Sequence, residues 1–254
     1  MKSLLFFLLG FYPSFSAIAQ EVTPPEGDDV CLLSQLDLST VTCFDDQGRN
    51  AVHADLATYG TPLSVGGVVY SSGVGTHAPS KFVIKVNGAR DFSALFGIDD
   101  AAAVDADGNF LPNEGEVDFR VVAWDSPQHS TVACEGTLRR SENKGFLLEA
   151  LGLEGVEYLV LEFLSGANTW SDHVDVCNAY FHFSGERPEL VRSADMWAGT
   201  ETTIDIPEAP DGMEHIPLSS LDISKGECGW GTAHADRSVE NNPLKLKGVT
   251  YTSG

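Results

Sequence analysis

Basic residues are scarce in this sequence of 254 residues. It has 15 lysines and arginines against 37 aspartates and glutamates, which gives a formal net charge of −22. Proteins that bind nucleic acids or anionic membrane surfaces need positive surface to neutralise phosphate groups. We therefore expect neither nucleic acid nor membrane as a partner, and a neutral ligand or a cation suits the charge better.

Long hydrophobic runs are also lacking, except at the start of the chain. The apolar run at residues 4–12 is too short to span a bilayer, which needs about 20 apolar residues. Lys2 precedes it, and Ala17-Ile18-Ala19 follows as a cleavage site made of small residues. The sequence thus predicts a signal peptide over residues 1–19 and a secreted or periplasmic protein that begins at Gln20.

Motifs for catalysis are missing as well. The sequence has no Gly-x-Ser-x-Gly elbow, no His-Glu-x-x-His and no Cys-x-x-Cys. We predict no catalytic residue and no catalytic domain here, although a glycosidase-type carboxylate pair could be hidden among so many acidic residues. The cysteines are odd in number, so at least one stays unpaired within the chain, and the others form disulfides after export or serve as small buried residues. They are Cys31, Cys43, Cys134, Cys177 and Cys228.

Short alternating runs of apolar and polar residues predict strands over residues 81–86, 117–124, 156–164 and 179–183. Clusters of Gly, Asn, Asp and Pro separate these runs, and residues 144–153 fit either a helix or a strand. Many short strands with turn signals between them predict an all-β protein. The expected architecture is an antiparallel β-sandwich of the jelly-roll type.

The sequence repeats itself after about 180 residues. Residues 33–39 (Leu-Ser-Gln-Leu-Asp-Leu-Ser) return at 218–224, and residues 62–73 return at 243–254. Such a long period marks tandem domains rather than a solenoid. We therefore predict a complete domain over residues 30–185, a linker over 186–214 and the truncated start of a second copy over 215–254.

Two motifs imitate well-known binding sites. Residues 73–78 (Gly-Val-Gly-Thr-His-Ala) look like a dinucleotide fingerprint, but Pro79 stands where a helix must begin. A tight turn with a close backbone approach is predicted instead. Residues 105–109 (Asp-Ala-Asp-Gly-Asn), with Glu116 at the twelfth position, begin like an EF-hand calcium loop. Phe110 occupies the place of the required glycine, which favours an acidic hairpin loop.

The densest mixture of polar and aromatic residues lies at 168–175 (Asn-Thr-Trp-Ser-Asp-His-Val-Asp). An exposed indole presents an apolar face to sugar C–H groups, and Asn, Asp and His side chains can hydrogen-bond to hydroxyls. Asn168, Trp170, Asp172 and His173 are therefore candidate carbohydrate-binding residues. The alternative is that Trp170 covers the core and Asp172 caps a turn.

Asp99 and Asp100 form a second acidic pair, directly after the apolar residues 96–98. Adjacent carboxylates repel each other unless a cation or hydrogen-bond donors satisfy them. We therefore expect a structural Ca²⁺ ion at Asp99 and Asp100, with Asp175 as a further ligand.

These motifs together resemble the NPCBM family of carbohydrate-binding modules. The resemblance is carried by Leu-Ser-x-Leu-Asp at 33–37, Pro-Leu-x-Val-Gly-Gly-Val-Val-Tyr at 62–70, Gly-Val-Gly-Thr-His-Ala at 73–78, Phe-Gly-Ile-Asp-Asp at 96–100 and Asp-His-Val-Asp at 172–175. It implies a secreted β-sandwich that binds galactose-type glycans, often with a bound calcium ion. Such modules commonly precede glycoside hydrolase domains, including α-galactosidase-like ones. His77 matches a family position and joins the candidate carbohydrate-binding residues on that basis.

The sequence departs from the family at three places. Val176 stands where members usually have Trp, residues 44–48 replace the Gly-Trp-Gly found at 229–231, and the loop at 101–115 is longer than usual. These departures imply an altered sugar site in the first copy. The expected function is non-catalytic carbohydrate binding that targets a covalently linked hydrolase to its substrate. The alternative is a structural spacer or a protein-interaction sandwich that binds no sugar.

Overall fold

The structure is a computed structural model. It describes residues 21–43, 51–105, 107, 109, 111, 114–127, 129–166, 168–193 and 195–196, and a few later positions at 202–204, 221, 235, 244–246 and 249–251. The predicted signal peptide lies outside the described residues, as does most of the predicted second copy. The helices in the described part are short 3-10 turns at Leu33–Gln35, Leu38–Thr40 and Arg140–Glu142, and none of them is long and apolar enough to cross a membrane.

Strands make up nearly all of the regular structure. In chain order they are β1 Glu21–Val22, β2 Val30–Leu32, β3 Thr42–Cys43, β4 His53–Ala54, β5 Leu63–Val65, β6 Val68–Tyr70, β7 Gly73–His77, β8 Ser80–Lys85, β9 Asp91–Ile98, β10 Glu116–Ser126, β11 His129–Arg139, β12 Phe146–Gly152, β13 Tyr158–Ser165, β14 His173–His182, β15 Glu189–Val191, β16 Thr202–Ile204, β17 Leu244–Leu246 and β18 Val249–Tyr251.

Two antiparallel sheets of six strands face each other. Sheet I has the order β11-β10-β13-β8-β15, with β3 also paired to β8, and sheet II has the order β12-β9-β14-β7-β4, with β2 also paired to β14. This arrangement confirms the predicted all-β sandwich. The ambiguous stretch at 144–153 forms β12, and β9 and β11 are strands that the sequence patterns did not single out.

Alternation along the strands places a core of phenylalanines between the sheets. Phe96 of sheet II lies 5.5 Å, between ring centroids, from both Phe119 and Phe163 of sheet I. The period of two explains why these side chains point inward while the residues between them face outward. The phenylalanines that are fully buried or nearly so are Phe82, Phe92, Phe96, Phe119, Phe163 and Phe181.

A third layer covers part of the outer face of sheet II. The hairpin β5–β6, with β1 paired in parallel to β6, buries Leu63, Val65 and Tyr70 against Cys177 of β14. Its turn consists of Gly66 and Gly67 with φ of +63° and +80°, which is the region that a two-residue hairpin turn of type I′ requires. The hairpin therefore lies directly over the strands that carry the predicted acidic residues.

Two strands lie inside the stretch that the sequence predicts as a linker. Glu189–Val191, which the sequence placed in a linker, forms β15 and pairs with β8, so the sandwich extends at least to Val191. Further along, β16, β17 and β18 form a separate three-stranded sheet, and Thr202–Ile204 of this sheet also falls in the predicted linker. A three-residue strand carries too little alternation to be recognised in sequence.

The cysteines behave as small buried residues where they are described. Cys31 and Cys177 are fully buried, Cys134 is half-buried, and no disulfide joins these three. Burial raises the pKa of the Cys177 thiol well above its ordinary value, and the nearby carboxylates, Asp175 first, act in the same direction. Burial also raises the pKa of the Cys31 and Cys134 thiols, so all three are protonated at neutral pH.

Candidate functional site

Three strands of sheet II bring predicted site residues to one end of the sandwich. His77 ends β7, His173 begins β14, and the two residues are direct partners in the antiparallel ladder. Asp99 follows the end of β9, and its amide donates to the carbonyl of His173 at 3.0 Å. The strand register thus places His77, His173 and Asp99 side by side.

An aromatic cluster forms around the two histidines. The ring of Tyr59 meets His173 edge-on with centroids 4.3 Å apart, and His77 lies 5.3 Å from His173. Tyr59 is 56% exposed, whereas His173 is buried. The hydroxyl of Thr58 donates to the carbonyl of Thr76 at 3.0 Å, which ties the Tyr59 loop to β7. The cluster therefore has a buried base and an accessible aromatic ring.

Trp170 stands on the loop that leads into β14. Its side chain is 67% exposed, so the alternative prediction that it covers the core is wrong. The side chain of Asn168 accepts a hydrogen bond from the Trp170 amide at 2.8 Å, and Gly115 donates to the Trp170 carbonyl at 3.1 Å. Asn168 therefore shapes the loop, while the indole is presented to solvent.

Asp172 is buried beneath the same loop. Its carbonyl accepts a hydrogen bond from the Ala78 amide at 2.9 Å, which joins the loop to the segment after β7. Burial raises the pKa of its carboxyl to about 6, and the carboxylates of Glu116 and Glu114 act in the same direction. The side chain is 1% exposed, so Asp172 supports the site from below rather than reaching its surface.

The three predicted metal residues all turn toward the β5–β6 hairpin. The Asp175 carboxylate accepts from the Ser64 amide at 2.9 Å, and the Asp99 carboxylate accepts from the Ser64 hydroxyl at 3.4 Å and from the Ala101 amide at 3.2 Å. The two oxygens of Asp100 accept from the amides of the glycine turn, Gly66 at 3.1 Å and Gly67 at 2.7 Å. Asp100 thus accepts hydrogen bonds from the hairpin turn. The two turn amides are donors of the kind that an adjacent pair of carboxylates needs.

Asp99 and Asp175 are both fully buried and keep one oxygen each without a partner among the described residues. Burial raises the pKa of Asp99 and, to a greater degree, that of Asp175, and each is raised further by charge on neighbouring aspartates. No group of three or more His, Cys, Asp and Glu side chains able to hold a metal ion is found in the described part of the chain. The pair therefore needs a proton or a cation, and protein side chains alone do not complete a coordination shell.

The glycine motif at 73–78 is a strand, not the predicted tight turn. The close backbone approach is nevertheless present, since a Cβ atom on Gly75 would lie 2.4 Å from the Leu56 carbonyl oxygen. The lack of a side chain at Gly75 lets the loop that carries Tyr59 approach β7 closely. The Gly75 amide donates to the Leu56 carbonyl at 3.0 Å, which holds the loop there.

The acidic stretch that begins at Asp105 has hydrogen bonds between its own residues. One oxygen of Asp105 accepts from the backbone amides of Asp107 at 2.9 Å and Asn109 at 2.8 Å, and the other accepts from the Asn109 side chain at 2.9 Å. These contacts form an Asx-type turn, which agrees with an acidic loop rather than with an EF-hand.

Tyr59 is the main site residue that sequence analysis missed. It lies 114 positions before His173, and only the pairing of β7 with β14 brings the two together. A tyrosine between Thr58 and Gly60 in a polar segment was the available signal, but the segment has no strand pattern of its own.

The NPCBM/NEW2 domain matches residues 29–182, more than half of the chain. This chain belongs to the NPCBM/NEW2 family. The matched segment contains the site residues His77, His173, Tyr59 and Trp170. It also contains Asp99, Asp100 and Asp175, which face the β5–β6 hairpin. No curated protein sequence matches the chain.

Several solved structures are similar to this NPCBM/NEW2 chain. The CBM51 module of Clostridium perfringens GH95, in complex with methyl-galactose, is 20% identical, with a TM-score of 0.48 over 60% of this chain and 99% of its own. The tandem CBM51 modules of a family 98 glycoside hydrolase from Streptococcus pneumoniae are 22% identical, with a TM-score of 0.48 over 63% of this chain and 48% of theirs. The CBM51-2 and INT domains of Clostridium perfringens ZmpB are 20% identical, with a TM-score of 0.47 over 63% of this chain. This chain spans 32% of that ZmpB structure and 15% of one that adds the M60 catalytic domain.

Proposed function

We propose that this chain is a non-catalytic carbohydrate-binding module, which binds sugar where β7 and β14 meet. The observation that carries the proposal is the exposed Tyr59 held edge-on against the buried His173, with His77 beside it. Membership of the NPCBM/NEW2 family supports the same function.

The chemistry of this end of the sandwich suits a neutral sugar. Tyr59 and Trp170 offer accessible aromatic faces for the C–H side of a pyranose ring, and the imidazole of His77 can hydrogen-bond to hydroxyls. Galactose-type glycans are the proposed ligands. The proposal also includes secretion, a covalently linked hydrolase that the module targets to its substrate, and a second copy of the module over the repeated stretch at 215–254.

A glycan array followed by titration calorimetry with methyl-galactoside tests the proposal. We expect a dissociation constant in the millimolar to micromolar range, which corresponds to about −4 to −8 kcal/mol. Tyr59→Ala and Trp170→Ala should each weaken binding at least about tenfold with little change in melting temperature, since both side chains are exposed. Val132→Ala, at an exposed apolar residue on β11, is the control and should bind as the wild type does. An array on which no glycan binds would contradict the proposal and favour the spacer function.

We also propose that Ca²⁺ stabilises the domain at Asp99 and Asp175. Each carboxylate keeps one buried oxygen that has no partner among the described residues and that a cation or a proton would satisfy, and hard oxygen ligands are those that Ca²⁺ prefers. Asp100 would act only indirectly, because the amides of Gly66 and Gly67 already occupy its oxygens. Backbone carbonyls and water would have to supply the remaining ligands.

Thermal unfolding with Ca²⁺ and with EDTA tests the calcium site. Calcium at a hundredfold excess over its dissociation constant should add about 2.7 kcal/mol to the free energy of unfolding. Asp175→Asn should lose this response, whereas Asp107→Asn, in the self-contained acidic loop, should keep it. A wild-type melting curve that is the same in Ca²⁺ and in EDTA would contradict the site.

A further inference from the structure

A cavity lies on the outer face of sheet II, away from the histidine cluster. It has a volume of about 300 Å³, which is at the lower end of the range for small-molecule sites. Its floor is formed by Ser93, Ala94 and Leu95 of β9. Asn178 of β14 lines it five residues beyond His173, which is about 17 Å along the strand. The cavity is therefore distinct from the site proposed above.

Two β-bulges lie beside this cavity. On one side of β9, Leu148 and Leu151 of β12 oppose Ala94 and Phe92, so β12 has one extra residue. The extra residue leaves Ala150 with a φ of +48°, and its amide donates to the Ser93 hydroxyl at 2.9 Å.

The second bulge lies directly across β9. Cys177 and Tyr180 of β14 oppose Leu95 and Ser93, which again leaves one extra residue, and Asn178 has a φ of +43°. Left-handed backbone at Ala or Asn is uncommon, and bulges occur preferentially beside binding sites. The two opposed bulges thus lie at the same level of sheet II, beside the cavity that Leu148, Glu149 and Asn178 help to line.

The remaining walls come from the third layer and from the strand ends. Tyr70 of β6 and the segment Thr23-Pro24-Pro25 close one side, while Leu147 and Glu149 of β12 close the other. Leu147 is 63% exposed at this position, a large apolar side chain at an open rim. The cavity is thus bounded by parts of the chain that are distant in sequence.

The geometry points to a second carbohydrate site here, which takes one neutral hexose residue. Tyr180, Leu147 and the two prolines supply apolar surface for the face of a sugar ring, and the Ser93 hydroxyl and the Glu149 carboxylate supply hydrogen-bonding groups for its hydroxyls. The described lining residues include no Lys or Arg, and Glu149 would repel an anionic ligand. The open rim leaves room for the rest of a glycan.

This site is independent of the proposed one, and nuclear magnetic resonance can separate the two. The full chain is titrated with methyl-galactoside, N-acetylglucosamine and methyl-mannoside into the millimolar range, and backbone amide signals are followed. We expect at least one of these sugars to shift the signals of Ser93, Glu149 and Asn178 in a saturable way. None of the three doing so would overturn the inference, whatever happens at His77 and His173.

Variants test whether the shifted amide signals report a sugar bound in the cavity. Leu147→Arg places a long charged side chain at the rim and should abolish the shifts at Ser93 and Asn178, whereas Val132→Arg, an exposed residue on β11, is the matched control. Tyr59→Ala should leave these shifts intact even if it abolishes those around His173. Glu149→Gln, which changes charge but little else, should weaken the cavity site about tenfold. Shifts that persist unchanged in both Leu147→Arg and Glu149→Gln would show that the sugar does not occupy the cavity.

Discussion

The hairpins β5–β6 and β17–β18 have the same local structure but different surroundings. Their strands have the same lengths and pairing: Leu63 is opposite Tyr70 in the first, and Leu244 is opposite Tyr251 in the second. Each hairpin also accepts a parallel strand on its second member, β1 in one case and β16 in the other. The two stretches are those that the repeat relates.

What differs is the support beneath each hairpin. The first hairpin lies on sheet II, where Asp99, Asp100 and Asp175 accept hydrogen bonds from its backbone and from the Ser64 hydroxyl. Among the described residues, β17 and β18 pair only with each other and with β16. The related stretches thus form the same hairpin in both places, and the first hairpin is in addition held on sheet II by hydrogen bonds. The following predictions test this difference.

Loss of the buried leucine in the first hairpin should have the largest effect. Leu63 is fully buried, so Leu63→Ala should lower the free energy of unfolding by about 3 kcal/mol through lost burial and a residual cavity. The repeat-related Leu244→Ala, at a half-buried position, should change it by less than about 1 kcal/mol. Urea unfolding measures both values. Equal losses in the two variants would show that both hairpins are docked to the same extent.

Adding a methyl group where the first hairpin contacts sheet II should have the next largest effect. A Cβ atom on Gly97 would lie 2.3 Å from a methyl group of Val65, so Gly97→Ala should push the hairpin away from β9 and cost about 2 kcal/mol. Gly152→Ala is the control, because nothing lies within 4 Å of a Cβ atom there.

A double variant identifies the cause. Val65→Ala removes the methyl groups that the new Cβ meets, so Gly97→Ala should cost less in a Val65→Ala background than in the wild type. If the two losses simply add, strain elsewhere on β9 is responsible rather than the hairpin contact.

Sequence patterns predicted the long strands of the sandwich better than the contacts that Asp100 and Tyr59 make between distant parts of the chain. Alternation at 81–86, 117–124, 156–164 and 179–183 identified four long strands, because inward and outward residues differ in polarity there. The roles of Asp100 and Tyr59 could not be predicted in this way. Asp100 meets amides 33 and 34 positions away, and Tyr59 meets His173 only through the pairing of β7 with β14. Both contacts depend on the register between strands, which no local pattern encodes.

The buried carboxylates should make docking of the first hairpin pH-dependent. Burial raises the pKa of Asp175 well above its ordinary value, so the folded state keeps its proton to higher pH than the unfolded state. In EDTA, the free energy of unfolding should therefore fall as the pH rises from about 4 through the raised pKa of Asp175. Below about pH 4 both states hold the proton, and the penalty is absent.

Asp175→Asn separates this effect from general charge repulsion. The neutral amide can still accept from the Ser64 amide, so the variant should be more stable than the wild type at about pH 8 and equal to it near pH 4. Urea unfolding in EDTA at several pH values measures the difference. A variant that is less stable than the wild type at every pH would mean that the charge itself, rather than its burial, stabilises the fold.

Weakening the hydrogen bonds between Asp100 and the Gly66-Gly67 turn should have the smallest effect. Asp100→Asn leaves one oxygen for the amides of Gly66 and Gly67, and it removes the ion pair with Arg140, in which nitrogen and oxygen are 3.6 Å apart. Gly67 is exposed, so water can replace its lost partner, and the free energy of unfolding should fall by only about 1 kcal/mol.

The effect of Asp100→Asn should be local, since the turn can open while the sandwich stays folded. Hydrogen exchange should therefore quicken at Gly66 and Gly67, with no change at the core amides of Phe96 and Val176. Exchange that quickens equally at the turn and in the core would show that this hairpin and the sandwich unfold together, and that the first hairpin is an integral part of the domain rather than a docked layer.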